Sequence, residues 1–154
     1  MPTEDRSSTS RLISEYFGRI AGLIASIDGD AVERIVEKLR SARDSGASIY
    51  VIGNGGSAAT ASHYATDLGR ATKKGGLTPL RVNSLTDNVA WLSAVGNDES
   101  FADVFADQLE NLIRAGDLLI AISASGNSQN LVRAVELAKK RDATTIAVVG
   151  FDGG

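Results

Sequence analysis

Apolar residues recur near the start of the chain at spacings of three and four. Leu12, Ile13, Tyr16, Phe17, Ile20, Leu23, Ile24 and Ile27 form the stripe of an amphipathic helix over residues 11–27. A second helix follows, with Val32, Ile35, Val36 and Leu39 on its apolar side. Its expected N-cap is Asp30, with Glu33 in the capping-box position and Gly46 as its stop. The period then changes. Ile49, Tyr50, Val51 and Ile52 read as a buried strand, Gly53-Asn54-Gly55-Gly56-Ser57 as a tight loop, and the Ala-rich segment after it as a helix. Past a polar loop, Lys73-Lys74-Gly75-Gly76, a second strand is expected from Pro79 to Val82 and a short helix from Thr86 to Val95. Gly96 to Ser100 reads as a turn, leading into a helix from Phe101 to Arg114 with Ser100 as its cap. Leu118 to Ile122 is a continuous apolar run of the kind found inside a parallel sheet. The loop Ser123–Ser128, a helix from Gln129 to Arg141 and a strand from Thr144 to Val149 complete the pattern.

Strands that alternate with helices imply βαβ units with right-handed crossovers. The expected architecture is α/β, a doubly wound parallel sheet with two leading helices. One domain is expected over residues 11–154, with the polar first ten residues as a flexible tail. Two helices before the first strand exceed what a small sheet needs for cover. The first is therefore expected to pack against a second copy of the chain, the plainer alternative being that it covers the sheet. The sequence stops at Phe151-Asp152-Gly153-Gly154, directly after a strand, where a further C-terminal helix is expected.

Composition narrows the function classes. The chain has 154 residues, 43% of them hydrophobic, a net charge of −3 and no cysteine. Without a basic block it lacks the electrostatic footprint of a nucleic-acid binder. Without cysteine it has neither disulfides nor thiolate chemistry, which suits a cytoplasmic location. No apolar run approaches the ~20 residues of a membrane span, and the polar N-terminus is unlike a secretory signal.

Two loops carry chemistry. In Gly53-Asn54-Gly55-Gly56-Ser57, glycines allow a close backbone approach, and the N-terminus of the helix that follows favours an anion. Gly53 to Ala58 also satisfies G-x-G-x-x-A, the dinucleotide fingerprint. The acidic residue that should end the next strand is missing, however, and Arg81 and Asn83 stand there instead. The second loop, Ser123-Ala124-Ser125-Gly126-Asn127-Ser128, places three hydroxyls at the carboxyl end of a strand and the start of a helix. That combination suits a phosphate monoester without any Arg or Lys. His63, the single histidine, and Asp67 share a helix face. They suit metal ligands, an acid/base pair or a surface hydrogen bond, and two ligands are too few for zinc alone. Gly96-Asn97-Asp98 reads as a turn whose Asn97 and Asp98 can also hydrogen-bond sugar hydroxyls.

Taken together, GNGGSA at 53–58, His63 with a carboxylate at 67, GND at 96–98, Phe105 through Gln108 and SxSGNSxN at 123–130 resemble the sugar isomerase (SIS) domain family. Within it the chain is most similar to the phosphoheptose isomerases, which convert sedoheptulose 7-phosphate to D-glycero-D-manno-heptose 7-phosphate. The resemblance implies that Ser57, Ser123, Ser125 and Ser128 hold the phosphate with nearby backbone N–H groups, Ala124 included. It implies that Asn54, Gly55, Gly56, Asn97 and Asp98 line the sugar. His63 and Asp67 fall at positions that contribute to a zinc site, and position 67 is also that of the catalytic base. Homotetramers, with sites at subunit interfaces, are implied as well; a homodimer is the smaller alternative.

Two departures stand out. The family's base is a glutamate, and Asp67 is shorter by one methylene, which matters because geometry comes before pKa in proton transfer. The family's second acid/base histidine and a glutamine ligand lie on a C-terminal helix beyond residue 154. The resemblance thus leaves two functions open: an aldose–ketose isomerase acting through an enediol, and a non-catalytic SIS module that binds the initiator DnaA or senses sugar phosphates. His63 and the GND segment favour the first, and aspartate at 67 the second.

Overall fold

Two helices precede the sheet. The first, α1 (Thr3–Ala25), starts well before the apolar stripe. The polar opening expected as a flexible tail is therefore helical from Thr3 on. Helix α2 (Gly29–Ser45) is capped by Asp28, whose Oδ1 accepts the N–H groups of Asp30 at 2.9 Å and Ala31 at 3.2 Å. Asp30, expected as the cap, lies instead in the first turn, where its charge still complements the helix dipole. The stop at Gly46 is as expected. Its φ is +74°, the Ala47 N–H closes on the Ala42 carbonyl at 2.9 Å, and the Gly46 N–H on that of Arg43 at 3.2 Å. This is a Schellman closure, which glycine makes without a Cβ penalty.

The computed structural model describes residues 3–73 and 76–154, so Lys74 and Gly75 of the expected polar loop lie outside the described residues. By its internal contacts the chain divides into two units, Met1–Val36 and Glu37–Gly154. The second contains β1 (Ser48–Gly53), α3 (Gly56–Ala71), β2 (Arg81–Ser84), α4 (Val89–Asp98), α5 (Ala106–Leu112), β3 (Leu118–Ser123), α6 (Gln129–Lys140) and β4 (Thr144–Val149). Its strands are all parallel, in the order β2-β1-β3-β4. This is the expected doubly wound α/β fold.

Three boundaries differ from expectation, each for a local reason. Strand β2 begins after Pro79-Leu80 because proline has no N–H to give the ladder, and the Leu80 N–H goes to Thr72 Oγ1 at 3.1 Å. Helix α4 begins at Val89, capped by Asn88, whose Oδ1 accepts the Trp91 N–H at 3.1 Å. Thr86 and Asp87 are held elsewhere: Thr86 Oγ1 lies 2.6 Å from Ser84 Oγ, and Ser62 Oγ donates to Asp87 Oδ1 at 2.5 Å. As a result Gly96, Asn97 and Asp98 form the last turn of α4 rather than a loop between helices. The helix expected from Phe101 is regular only from Ala106, because Ser100 binds the Ala102 N–H through Oγ and the Asp103 N–H through its carbonyl.

The core follows the period-two alternation of the central strands. Tyr50 and Ile52 of β1 and Leu119 and Ala121 of β3 pack with Val95, Phe105, Leu109, Leu131 and Ala134 of the later helices. The alternate residues Ile49, Val51, Leu118 and Ile120 are equally buried. Helix α3, which packs on β1, β2 and β3, buries Ala61 and Ala65.

Buried Asp117 joins the amino ends of the two central strands. One oxygen accepts the Ser48 N–H at 2.8 Å, and the other the Arg114 N–H at 2.9 Å. Removing both acceptors orphans two backbone donors. Asp117→Ala is therefore expected to lower unfolding free energy by about 2 kcal/mol or more in urea titrations, and an unchanged midpoint would contradict this role.

Candidate anion-binding site at the β1 and β3 loops

Strands β1 and β3 pair in register from Ile49↔Leu118 to Gly53↔Ile122, so their carboxyl ends finish level. Sheet order reverses between them, and this is the crevice where ligands of open α/β sheets bind. The loop after β1 is tightly drawn. A Cβ on Gly53 would come 2.6 Å from the Ser57 carbonyl oxygen, and Gly55 takes φ +54°, ψ −120° as it opens α3. Only glycine fits both demands, and they bring the first turn of α3 directly over the end of β1.

The loop after β3 is organised by its own serines. Ser123 Oγ accepts the Gly126 N–H at 3.0 Å, and Ser125 Oγ accepts the Asn127 N–H at 3.3 Å. Each of these hydroxyls is engaged as an acceptor and keeps an O–H to donate. Ser128 is the N-cap of α6, yet its side chain makes no capping bond. Its hydroxyl and the first N–H groups of α6 thus face a ligand's needs rather than each other's.

The two loops enclose a cavity of about 200 Å³, lined by Asn54, Ser57, Ile122, Ser123, Ala124, Ser125, Ser128, Leu131 and Phe151. No Arg or Lys is among the lining residues; hydroxyls, an amide and two helix N-termini supply its polarity. That volume suits a phosphate group and falls short of a typical whole-ligand pocket of roughly 300–1,000 Å³.

Of the residues singled out in the sequence, Asn54, Ser57, Ser123, Ala124, Ser125 and Ser128 meet here. Gly55 and Gly56 shape the turn without lining the cavity. His63 and Asp67 lie on the exposed face of α3, where His63 Nε2 is 3.2 Å from Asp67 Oδ2, a surface i,i+4 pair. Asn97 and Asp98 are exposed at the end of α4, with Asn97 Nδ2 donating to Asp98 Oδ1 at 2.7 Å. None of these four lines the cavity.

Among the described residues no cluster of three or more metal-ligating side chains occurs. His63 and Asp67 supply two donors where zinc takes three or four, so this donor set does not hold the ion by itself.

Sequence reading gave three contributors no role in the cavity, although Asn130 ends the SxSGNSxN segment. Asn130 is buried and bonds to Asn54. Leu131 gives the cavity an apolar wall. The segment after β4 packs backbone to backbone on the serine loop: a Cβ on Gly126 would meet the Gly153 carbonyl oxygen at 2.7 Å, and Phe151 reaches the cavity. The run of glycines at 150, 153 and 154 was the available signal.

A family model described as the SIS domain matches residues 15–150. The chain belongs to the SIS domain family. It is 41% identical over 121 residues to a probable phosphoheptose isomerase of Thermoplasma acidophilum, covering 78% of this chain and 65% of that protein. It is 42% identical over 127 residues to the DnaA initiator-associating protein DiaA of Klebsiella pneumoniae subsp. pneumoniae, covering 81% of this chain and 63% of that one. Both relatives are thus matched over slightly less than two thirds of their length. A solved phosphoheptose isomerase from Francisella tularensis superposes with a TM-score of 0.86 at 32% identity, over 96% of this chain and 78% of that chain. Among the described residues of this SIS domain, no helix is long and apolar enough to cross a membrane.

Gly53→Ala should displace the first turn of α3 and destabilise the fold by about 1–3 kcal/mol. Gly69→Ala lies in the same helix, where an added Cβ meets nothing within 4 Å, and should stabilise by about 0.5–1 kcal/mol. Thermal unfolding of the two variants checks the contrast, and similar behaviour would show that the approach of loop to strand is not tight.

Proposed function

We propose that this chain is the sugar-phosphate-binding domain of an aldose–ketose isomerase, with sedoheptulose 7-phosphate as substrate and D-glycero-D-manno-heptose 7-phosphate as product. The observation that carries the reading is the convergence of Ser57 with Ser123, Ser125 and Ser128 on one cavity of phosphate size. Similarity to phosphoheptose isomerases supports the choice of sugar. The cavity grips the remote phosphate, and that binding energy orients the reacting end. Asp67 takes a proton from C1 while O2 is protonated, giving the 1,2-enediol. Return of the proton to C2, with loss of the O1 proton, gives the aldose. Asn97 and Asp98 bind sugar hydroxyls. His63 and Asp67 are assigned as two donors toward zinc.

The separation of Asp67 from the cavity is accounted for by assembly, with the reacting groups meeting the phosphate grip of another copy. The exposed apolar side chains of α1 support this: Leu12, Tyr16, Phe17, Leu23 and Ile24 are each more than 60% exposed. Such a contiguous patch marks an interaction surface. A homotetramer or homodimer working in the cytoplasm is the form proposed. A Phe17→Glu, Ile24→Glu variant should run as a monomer in light scattering at concentrations where the unsubstituted chain is oligomeric. An unsubstituted chain that is already monomeric overturns the assembly.

A second reading, a non-catalytic module in initiation control, is favoured by the similarity to DiaA and by aspartate rather than glutamate at 67. Proton NMR of sedoheptulose 7-phosphate with the chain, with and without added zinc, separates the two. A new aldose anomeric signal is expected for the isomerase, slowed by about 10²-fold or more in Asp67→Asn. Binding without turnover, judged by phosphate resonance shifts, selects the module.

A further inference from the structure

Asn54 and Asn130 form a reciprocal amide pair. Asn54 Nδ2 donates to Asn130 Oδ1 at 2.9 Å, and Asn130 Nδ2 donates to Asn54 Oδ1 at 2.9 Å. They are 76 residues apart in sequence, and Asn130 is only 3% exposed. Two reciprocal bonds fix both the separation and the orientation of the residues that make them, which a single bond does not. Asn54 follows β1 and its carbonyl accepts the Ser57 N–H at 2.9 Å. Asn130 lies two positions past Ser128 in the first turn of α6. Each member is thus within three residues of a cavity hydroxyl on its own loop. Among the described residues, no other side-chain hydrogen bond joins these two loops.

We propose that Asn130, through Asn54, is a positioning residue that sets the width of the phosphate cavity. The pair latches the loop after β1 to the loop after β3, and the inference rests on the phosphate reading given above. The chemistry suits the place. An amide pair is neutral at every ordinary pH, so it adds no charge beside a phosphate dianion. An aspartate at either position would lose one of the two bonds and set a carboxylate next to that dianion. Glutamine would overfill a buried site by one methylene. Asn54 spends one N–H and one lone pair on the latch and keeps its second N–H for the cavity it lines. A buried amide that loses its partner has no water to turn to, so the loops part rather than leave it unpaired.

The test is inorganic phosphate titrated into the unsubstituted chain, Asn54→Ala, Asn130→Ala and the double variant, followed by calorimetry with circular dichroism as the folding check. Each single change is expected to weaken phosphate binding roughly tenfold, as loss of a buried hydrogen-bonded partner does. The double variant should bind no more weakly than the weaker single, because a pair acting as a unit is lost once. A buried amide serving only general stability would lower the unfolding midpoint without this selective, non-additive loss of affinity. Unchanged affinity in Asn130→Ala, or additive losses, overturns the latch. Should Asn130→Ala fail to fold, the unsubstituted protein decides by NMR. The Asn130 side-chain amide protons are expected to exchange slowly and to shift on addition of phosphate, and exchange at the solvent-exposed rate overturns the proposal. No phosphate binding by the folded, unsubstituted chain overturns the phosphate reading and the latch with it. Binding there with unaffected variants removes the latch alone.

Discussion

Parallel pairing of β1 with β3 is the constraint from which the site follows. The pairing ends at Gly53↔Ile122, so the chain leaves both strands at the same height. One crossover runs through α3 to β2 on one side of β1, and the later chain leads to β4 on the other side of β3. The loops cannot cover each other's exit, and a crevice opens between them. Both loops then enter helices, so backbone donors converge on the crevice before any side chain is considered. Hydroxyls complete the set, so the polarity of the cavity comes with no arginine or lysine on its walls.

What holds that crevice is spread over several modest contacts. Asp117 ties the amino ends of the central strands, the near-contact of Gly53 with Ser57 seats α3, and the amide pair joins the two loops. On the outer flank Arg133 donates to both oxygens of Asp103 at 2.5 and 2.7 Å, fastening α6 to the segment before α5. Both contacts come from the single nitrogen Nη1, and the pair is partly exposed, so it adds little to stability.

The fold was legible because its signals are local. An unbroken apolar run as short as Leu118–Ile122 between polar turns fits a buried strand better than a helix, and the alternation of periods points to the βαβ order. The serine and glycine loops were legible for the same reason, since each carries its chemistry within six residues. Less legible were features that depend on competition between neighbours. Thr86 and Asp87 prefer a hydroxyl network with Ser62 and Ser84 to the start of a helix, and Ser100 holds a turn that delays α5 to Ala106. The partnership of Asn54 with Asn130 lies 76 residues apart and has no local period to announce it. Nor does sequence alone tell that His63 and Asp67, so near the glycine loop along the chain, lie outside the cavity that loop builds.

This division between grip and reacting groups has a consequence for the family. The cavity proposed for the phosphate is made of strand ends and helix starts, with Asn54 bonded to the buried amide of Asn130. His63, Asp67, Asn97 and Asp98 stand on exposed helix surface, where a substitution disturbs little packing. Changes at these four positions therefore disturb little packing, whereas a Cβ at Gly53 or loss of the Asn130 amide disturbs buried structure. A scaffold of this kind keeps its binding function through sequence drift and gains or loses chemistry at its surface. On the proposed reading the serine loops bear on what is bound, and the exposed pair on α3 bears on what is done with it.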